Sequence, residues 1–213
     1  MNVKLKSITP DAEVNIVEIA RVSSSREDKS EKPEGLINYL INNKHWSPFQ
    51  HSYLTFEIET SKAIGIQLLR HLSFTFQEFS QRYAKVEKIE PIEIRKQAIK
   101  NRQSSEEIFD PELNVLLGGK KELASERIEW LLKQCQDTYN LLLEAGVAKE
   151  CARMVLPMAT STTLYMTGSV RSWIHFLSIR DDAHAQLEVQ LIAKEIKEIL
   201  KQELPIISKA LNY

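Results

Sequence analysis

The sequence has few of the residues that build metal centres, disulfide frameworks or glycine-rich nucleotide loops. Its 213 residues include only two cysteines, six glycines and five histidines. Cys135 and Cys151 are too few for a disulfide framework and indicate a reducing compartment. No histidine stands in HExxH or a comparable metal-binding spacing, so the sequence predicts no metal site. The absence of GxGxxG and Walker loops excludes a nucleotide held in the Rossmann manner.

Long hydrophobic runs and an excess of charge of one sign are also missing. The first residues, MNVKLKSITPDAE, contain no apolar signal-like segment, and no run of about 18 apolar residues occurs. The formal net charge is −1 and there is no polybasic tail, so a general nucleic-acid surface is not expected. We expect a cytoplasmic protein with neither membrane nor nucleic-acid partners, most simply one domain over residues 1–213.

Hydrophobic periodicity predicts an α+β fold that is rich in helix. We expect its sheet to be small and mostly antiparallel. Strands are predicted at residues 2–8, 52–60, 92–94 and 160–167. Helices are predicted at residues 12–21, 34–43, 61–71, 121–145, 148–156, 169–179 and 183–203. Gly146 is expected to end the fourth helix, and Asp181 or Asp182 to cap the last. Residues 101–119 are polar and are predicted to be a mobile connection.

Arginine is distributed differently from lysine. Residues 63–84 and 150–193 contain five of the ten arginines and none of the eighteen lysines. Burying a guanidinium without a partner is costly, and its planar fork suits carboxylate and phosphate. The five arginines, Arg70, Arg82, Arg153, Arg171 and Arg180, therefore predict a partly desolvated pocket for an anion. The alternative is that each of them pairs with an acidic residue of the core.

The side chains near the first two arginines suit a nucleoside monophosphate better than a bare phosphate. The polar residues that accompany Arg70 and Arg82 are Gln67, His71, Glu78, Ser80 and Gln81. On the predicted helix 61–71, Gln67, Arg70 and His71 share one face by their i, i+3 and i+4 spacing. Gln67 and Gln81 can read the donor and acceptor edges of a flat heterocycle.

No side chain is well supported as a nucleophile. Cys135 lies within WLLKQCQDTY on a predicted helix and is interpreted as a packing residue. Cys151 precedes Arg153 by two residues but belongs to no catalytic motif. Ser80 has no histidine-based relay nearby in the sequence and is interpreted as a hydrogen-bonding group.

The sequence resembles the flavin-dependent thymidylate synthases. Arg70-His71-Leu72, followed by seven residues and Ser80, is similar to the RHR-x7-S signature of that family. The wider context resembles the family in order and spacing as well. The similar segments are HWSPFQH at 45–51, QLLRH at 67–71, EFSQRY at 78–83, ARMVLP at 152–157, VRSWIHFLSIR at 170–180 and DDAHAQLEVQ at 181–190.

The resemblance, which covers roughly residues 10–205, implies a methyltransferase with the fold of that family. It implies a homotetramer with active sites shared between subunits. It also implies FAD as the prosthetic group, dUMP as the substrate, 5,10-methylenetetrahydrofolate as the carbon donor and NADPH as the reductant. In the family no protein nucleophile attacks uracil, which agrees with the poor nucleophile candidates.

The resemblance also assigns roles to particular residues. The implied dUMP contacts are Gln67, Arg70, Glu78, Ser80, Gln81, Arg82, Arg153 and Arg180. The implied FAD contacts are Ser47, Arg70, His71, Leu72, Glu78, Ser169, Arg171 and His175. Arg180 stands at the position of the catalytic arginine that lies against the uracil and favours its ionised ring nitrogen. His45 matches a histidine near the stacked flavin and folate.

Four positions depart from the family pattern. Leu72 stands where arginine is usual, Ser169 and His175 where asparagine is usual, and Gln81 where glycine is common. Three of these lie on the implied flavin side, which predicts altered FAD affinity or orientation rather than lost activity. Two alternatives stay open: a relative that binds dUMP without turnover, and a non-catalytic nucleotide- or nucleic-acid-binding module.

Overall fold

The computed structural model describes residues 1–23, 32–114 and 121–213. Helices and small antiparallel sheets make up the fold, so the predicted α+β class is confirmed. The chain divides into two compact units. The first contains Met1–Ile58, Leu69–Gln77 and Leu164–Tyr213, and the second contains Glu59–Leu68 and Glu78–Thr163. The single domain over residues 1–213 stays a prediction.

Among the described residues, five short strands follow one another in the middle of the chain, and helices predominate toward its end. The elements begin with β1 (Asn2–Ile8), α1 (Ala12–Ala20), α2 (Pro33–Asn42), β2 (Tyr53–Ser61), α3 (Lys62–Leu68) and β3 (Thr75–Glu78). They continue with β4 (Arg95–Gln97), β5 (Ser105–Ile108), β6 (Glu112–Asn114), β7 (Lys121–Leu123), α4 (Ala124–Glu144), α5 (Lys149–Ala152), β8 (Ser161–Ser169), α6 (Val170–Arg180), α7 (Leu187–Glu203) and α8 (Pro205–Ala210). Within the described ranges, no helix has the length and apolar character that a membrane span needs.

Four strands form the main sheet, in the order β1-β2-β8-β3. The amide of Val170, just after β8, donates to the carbonyl of Ser52, just before β2, at 2.8 Å. The amide of Lys62, just after β2, donates to the carbonyl of Thr160, just before β8, at 2.8 Å. Because the start of each strand meets the end of the other, β2 and β8 are antiparallel. The pairs β4-β5 and β6-β7 are antiparallel as well.

The core of the first unit is an aromatic cluster that fixes α6. Trp173 and Phe176 are fully buried on this helix. The ring centroid of Trp173 lies 4.8 Å from that of Phe56, and its Nε1 donates to the carbonyl of Leu54 at 3.2 Å. With the indole N–H satisfied, the burial of so large a side chain stabilises the helix against the sheet. The other side chains of α6, Arg180 among them, are therefore carried by a rigid support.

The second unit is built around α4. Tyr139 is fully buried on this helix, and its hydroxyl accepts a hydrogen bond from the amide of Val86 at 3.2 Å. Ala152 is buried in the same cluster. The helix ends at Glu144, and Gly146 adopts a φ of 84°, the left-handed conformation that favours glycine after a helix. The prediction that Gly146 ends this helix is confirmed.

One predicted helix is too long. The helix expected at 61–71 ends at Leu68, because the chain turns there before entering β3. Arg70 and His71 therefore lie beyond α3 and do not share its face with Gln67. That part of the prediction is wrong, although all three side chains remain candidates for the site.

The predicted cap of the last long helix is also wrong. The helix α7 begins at Leu187, with Gln186 at the N-cap position, and not after Asp181 or Asp182. A carboxylate oxygen of Asp182 instead accepts a hydrogen bond from the amide of His184 at 2.8 Å, two residues further on. Such a local turn competes with helix formation, which delays the start of α7.

The polar segments were predicted least well. The strand expected at 92–94 is found at Arg95–Gln97. Within the expected connection 101–119, Ser105–Ile108 and Glu112–Asn114 form strands. Residues 115–119 of that prediction lie outside the described residues.

Candidate active site

In the first unit, Arg180 at the end of α6 is held by a neutral partner. Its Nε donates a hydrogen bond to Nε2 of His71 at 2.9 Å. Burial, and then the charges of Arg180 and His175, lower the pKa of His71 to about 4. Burial and the charge of Arg70 lower the pKa of Arg180. His71 is therefore neutral at pH 7, and Arg180 keeps the charge that a guanidinium carries in proteins.

A cavity of about 880 Å³ lies beside α6 in the first unit. Arg171 and His175, one turn apart on α6, both line it. Further lining residues come from outside α6, among them Trp46, Gln50, Asp181, Lys197 and Tyr213. The cavity thus combines cationic and hydrogen-bonding groups with aromatic surface, which suits an anionic ligand with flat rings.

Lys197 of α7 and Tyr213 form one wall of this cavity. Lys197 Nζ lies 2.9 Å from a carboxylate oxygen of Asp181 and 4.9 Å from the ring centroid of Tyr213. Burial, with a contribution from Asp181, raises the pKa of Tyr213 to about 12, so its phenol stays protonated at neutral pH. Sequence reasoning missed these residues, because no motif connects α7 with the C-terminal tyrosine.

Seven predicted cofactor-side or folate-side residues do not line this cavity: His45, Ser47, Arg70, His71, Leu72, Glu78 and Ser169. Ser169 instead caps α6, since its Oγ accepts a hydrogen bond from the amide of Ser172 at 3.2 Å. Leu72 is 96% exposed. Ser47 and His45 are exposed as well. Their predicted roles toward FAD and folate stay predictions.

In the second unit, Glu78 at the end of β3 is already tied into a polar cluster. Its carboxylate accepts a hydrogen bond from the hydroxyl of Thr162 at 2.8 Å. The Nζ of Lys62, the first residue of α3, lies 2.9 Å from the same oxygen of Glu78. The cluster fixes the orientation of the carboxylate. Sequence reasoning did not single out Lys62, because it flanks the lysine-free stretch.

Two arginines of the second unit differ in their partners. Arg82 is exposed and forms an ion pair with Glu150 at 3.1 Å. Arg153, just after α5, is half-buried, and its Nε is shielded from solvent without a hydrogen-bond partner among the described residues. A buried donor without a partner is costly, so Arg153 is well suited to an anionic ligand.

Two of the remaining predicted substrate residues of the second unit, Ser80 and Gln81, lie in the turn after β3, and the third, Gln67, lies on α3. The carbonyl of Ser80 accepts hydrogen bonds from the amides of Tyr83 and Ala84 at 3.0 and 3.1 Å. Gln81 in this turn is buried, with 9% of its surface exposed. Gln67 lies half-buried on α3. The turn thus carries three predicted contacts in succession.

The structure tests the alternative that every arginine of the two lysine-free stretches pairs with an acid. Arg82 does so, with Glu150. In the part of the chain that the structure describes, no carboxylate lies within ion-pair distance of the other four. They are Arg70, Arg153, Arg171 and Arg180. Their charge is thus available to a ligand.

Comparison with known proteins identifies the class to which this arrangement belongs. A family model described as thymidylate synthase complementing protein matches residues 4–206. The chain is 42% identical over 222 residues to a probable flavin-dependent thymidylate synthase of Paramecium bursaria Chlorella virus 1, with all of both chains covered. It is also similar to flavin-dependent thymidylate synthases of Synechocystis (40% over 194 residues, covering 91% of this chain and 86% of the relative) and of Thermosipho melanesiensis (38% over 192 residues, covering 89% and 81%).

The chain belongs to the family of thymidylate synthase complementing proteins. The resemblance on which the sequence interpretation rested is therefore confirmed.

Proposed function

We propose that the protein is a flavin-dependent thymidylate synthase that converts dUMP to dTMP. The methylene carbon of 5,10-methylenetetrahydrofolate is transferred to C5 of the uracil and reduced to a methyl group, and NADPH supplies the reducing equivalents. The products are dTMP, tetrahydrofolate and NADP⁺. The observation that carries this proposal is that four arginines of the two lysine-free stretches have no acidic partner among the described residues. A mononucleotide supplies the anionic groups they lack.

The proposed dUMP contacts fall into groups that suit the phosphate and groups that suit the base. We assign the phosphate to Arg153, because its Nε is buried without a partner, and propose Arg82, whose charge Glu150 offsets, as a further dUMP contact. Gln67 and Gln81 provide amide donors and acceptors for the edges of the base. Arg70, Glu78 and Ser80 complete the proposed contacts to the nucleotide.

Arg180 is the proposed catalytic residue. A fixed guanidinium beside the uracil stabilises negative charge that develops on the ring, and it favours loss of the proton from the ring nitrogen. The hydrogen bond from its Nε to neutral His71 fixes this group without neutralising it. Partial burial strengthens the interaction, because the surrounding medium screens the charge less than water does.

The cavity beside α6 fits a flavin in its donor set. Arg171 and the exposed ring of His175 suit a diphosphate, and Trp46 and Ile174 offer flat or apolar surface for rings. We infer that the cofactor is FAD, held here through Arg171 and His175. Arg70, His71, Glu78, Ser47, Ser169 and the segment around Leu72 are the further proposed contacts. When bound, a reduced flavin supplies the hydride and mediates the carbon transfer.

We further propose that the chain has the family fold and forms a homotetramer whose active sites are shared between subunits. His45 then lies on the folate side of the site. The three flavin-side departures, Leu72, Ser169 and His175, affect FAD affinity or orientation and not the identity of the reaction.

Tritium release from dUMP labelled at C5 tests the proposed reaction. The purified protein should release tritium only when methylenetetrahydrofolate and NADPH are both present, because the hydrogen at C5 is replaced by the new carbon. Protein that binds dUMP but releases no tritium would instead be a relative without turnover. A colourless protein with strongly salt-dependent binding to oligonucleotides would identify the nucleic-acid-binding alternative.

A further inference from the structure

The partner of Arg180 is chemically unusual for an arginine that is partly buried. Such a guanidinium commonly pairs with a carboxylate, which offsets its charge and orients it at the same time. Arg180 has a neutral imidazole in that place, with 2.9 Å between its Nε and Nε2 of His71. The side chain is therefore oriented without an opposing charge.

The direction of the hydrogen bond determines what is left for a substrate. Because Nε2 of His71 accepts, its proton lies on Nδ1 in the neutral ring. The Nε–H of Arg180 is the one donor on the stem of the guanidinium, and the four N–H groups of its two terminal nitrogens remain. In the described residues no other hydrogen bond engages Arg180. The forked end of the side chain is thus free to meet a ligand.

Aromatic packing holds the imidazole itself. The ring of His71 stands edge-on to Phe176, with centroids 5.0 Å apart, and edge-on to Phe74 at 6.2 Å. Phe74 in turn packs against Trp173 at 4.6 Å. A Cβ at Gly168 would lie 2.4 Å from the ring of Phe74, so β8 approaches this ring as closely as only glycine permits. The acceptor therefore has one well-defined position.

We propose that His71 is a positioning residue for the proposed catalytic Arg180: it is a neutral acceptor, fixed by Phe74 and Phe176, that orients the guanidinium toward the uracil while leaving its charge uncompensated. The proposal rests on the proposed function, in which Arg180 acts on the pyrimidine. It adds to the flavin contact assigned to His71 by resemblance.

The charges around His71 keep this acceptor neutral. Arg180 and His175 face it from α6, and Arg70 is its neighbour in the chain and acts on Arg180. Burial, and then the charges of Arg180 and His175, lower the pKa of His71 to about 4. A protonated imidazole could no longer accept from Arg180, so the low pKa preserves the hydrogen bond across the neutral range.

Nuclear magnetic resonance of the ¹⁵N-labelled protein tests the hydrogen bond without any turnover. His71 should show the tautomer with its proton on Nδ1, and it should stay neutral at pH 6. In Arg180→Ala the pKa of His71 should rise, because one positive charge that lowers it is gone. Arg127→Ala, which removes an exposed arginine of α4, is the matched control and should leave the His71 signals in place. Signals of His71 that do not respond to Arg180→Ala would overturn the proposal.

Kinetics of paired variants test whether His71 acts through Arg180. His71→Phe keeps an aromatic ring and removes the acceptor, and we expect kcat to fall about 10- to 100-fold with a smaller change in KM for dUMP. His71→Gln places an amide oxygen near Nε2 and should recover part of that loss. In the Arg180→Ala background, His71→Phe should have little further effect on kcat.

Two results separate this role from the alternatives. Equal losses from His71→Phe in both backgrounds, accompanied by weaker FAD binding, would make His71 a cofactor contact alone and would overturn the positioning role. A wild-type protein that forms no dTMP would reject the proposed function. The NMR spectra of His71 in wild type and in Arg180→Ala would then still decide whether His71 orients Arg180.

Discussion

Arg180 and Arg82 show two ways of holding a guanidinium. Arg82 is exposed and has its charge offset by Glu150 at 3.1 Å, and exposed pairs of this kind contribute little to stability. Arg180 is partly buried and bonded to a neutral imidazole. The sequence shows five similar arginines, whereas the structure separates one whose charge is compensated from four whose charge is available.

Replacing Arg180 should affect turnover more than binding. In Arg180→Ala we expect kcat to fall about 100- to 1,000-fold, the range found when one donor to a developing anion is removed, with a much smaller change in the Kd of dUMP. The ring becomes anionic only during the reaction, so the charge matters most there. Single-turnover kinetics and equilibrium dUMP binding measure the two effects, and equal losses in both would contradict a catalytic role.

Replacing Arg153 should have the opposite pattern. Its buried Nε without a partner suits the phosphate of the ground-state nucleotide, so Arg153→Ala should raise the Kd of dUMP about tenfold or more, corresponding to ~1.5–3 kcal/mol for a charged hydrogen bond. Arg153→Lys, which keeps the charge but loses the Nε donor, should lie between wild type and alanine. Calorimetric titration with dUMP decides, and an unchanged Kd would remove Arg153 from the phosphate site.

Leu72 offers a test of the missing cofactor-side charge. The side chain is 96% exposed, so arginine can be introduced there without disturbing packing. Leu72→Arg should lower the Kd of FAD roughly 5- to 10-fold, as one additional charge-assisted contact would. Leu72→Gln removes the exposed apolar group without adding charge and is the matched control. FAD fluorescence measures the affinity, and equal values for wild type and Leu72→Arg would refute the idea.

At the scale of elements, the regular spacing of buried apolar residues explains which strands and helices could be predicted from the sequence. The strand Tyr53–Ser61 has alternate residues such as Leu54 and Phe56 fully buried, and the long helix Ala124–Glu144 ends before Gly146. Both leave a clear pattern in the sequence. The match between expected and observed bounds is close for these elements.

The elements that were missed lack such a pattern. All four residues of β5, Ser105–Ile108, are exposed, so there is no apolar face for periodicity to detect. The short helix Pro205–Ala210 begins where the buried carboxylate of Glu13 accepts a hydrogen bond from the amide of Ile207 at 2.8 Å. That contact joins residues 194 positions apart, and local sequence cannot show it.

Long-range contacts likewise limited the prediction of the site. Arg180 and His71 are separated by 109 positions, and their hydrogen bond depends on how α6 packs. The resemblance to a known family named both residues, but it gave no reason for their pairing. Motifs supply the residue types of a site, whereas tertiary packing decides which side chain orients which.

The end of α4 allows a stability test with an internal control. Gly146 has a φ of 84° and nothing within 4 Å of a Cβ placed there, so Gly146→Ala meets backbone strain and no steric clash. We expect it to cost about 1 kcal/mol in the free energy of unfolding. Gly35 lies within α2 with the same open surroundings and no positive φ, so Gly35→Ala should be neutral or stabilising, because alanine favours helix. Urea unfolding measures whether the free energy of unfolding falls in Gly146→Ala and stays constant or rises in Gly35→Ala.

At the scale of the whole molecule, the residues proposed for dUMP and FAD are distributed over both compact units of the chain. Arg180, His71 and the cavity beside α6 belong to the first, whereas Arg153, Arg82 and Glu78 belong to the second. If active sites are shared in a homotetramer, as we propose, a site can combine an arginine of one subunit with an arginine of another. Oligomerisation would then be a requirement for catalysis.

Complementation between two impaired variants, assayed at dUMP concentrations well below the wild-type KM, tests this sharing directly. Arg180→Ala and Arg153→Ala chains, unfolded together in equal amounts and refolded as mixed tetramers, should regain about one quarter of wild-type activity if each site takes its two arginines from different subunits. Each of the two subunits then carries the intact arginine in about half of the cases, so about one quarter of the sites contain both. When both arginines of a site come from the same subunit, every site carries a defect and the activity of the mixture stays between the low activities of its two components. Tetramers that form normally but show no recovery would therefore reject the shared site, since assembly and chemistry are measured separately by ultracentrifugation and tritium release.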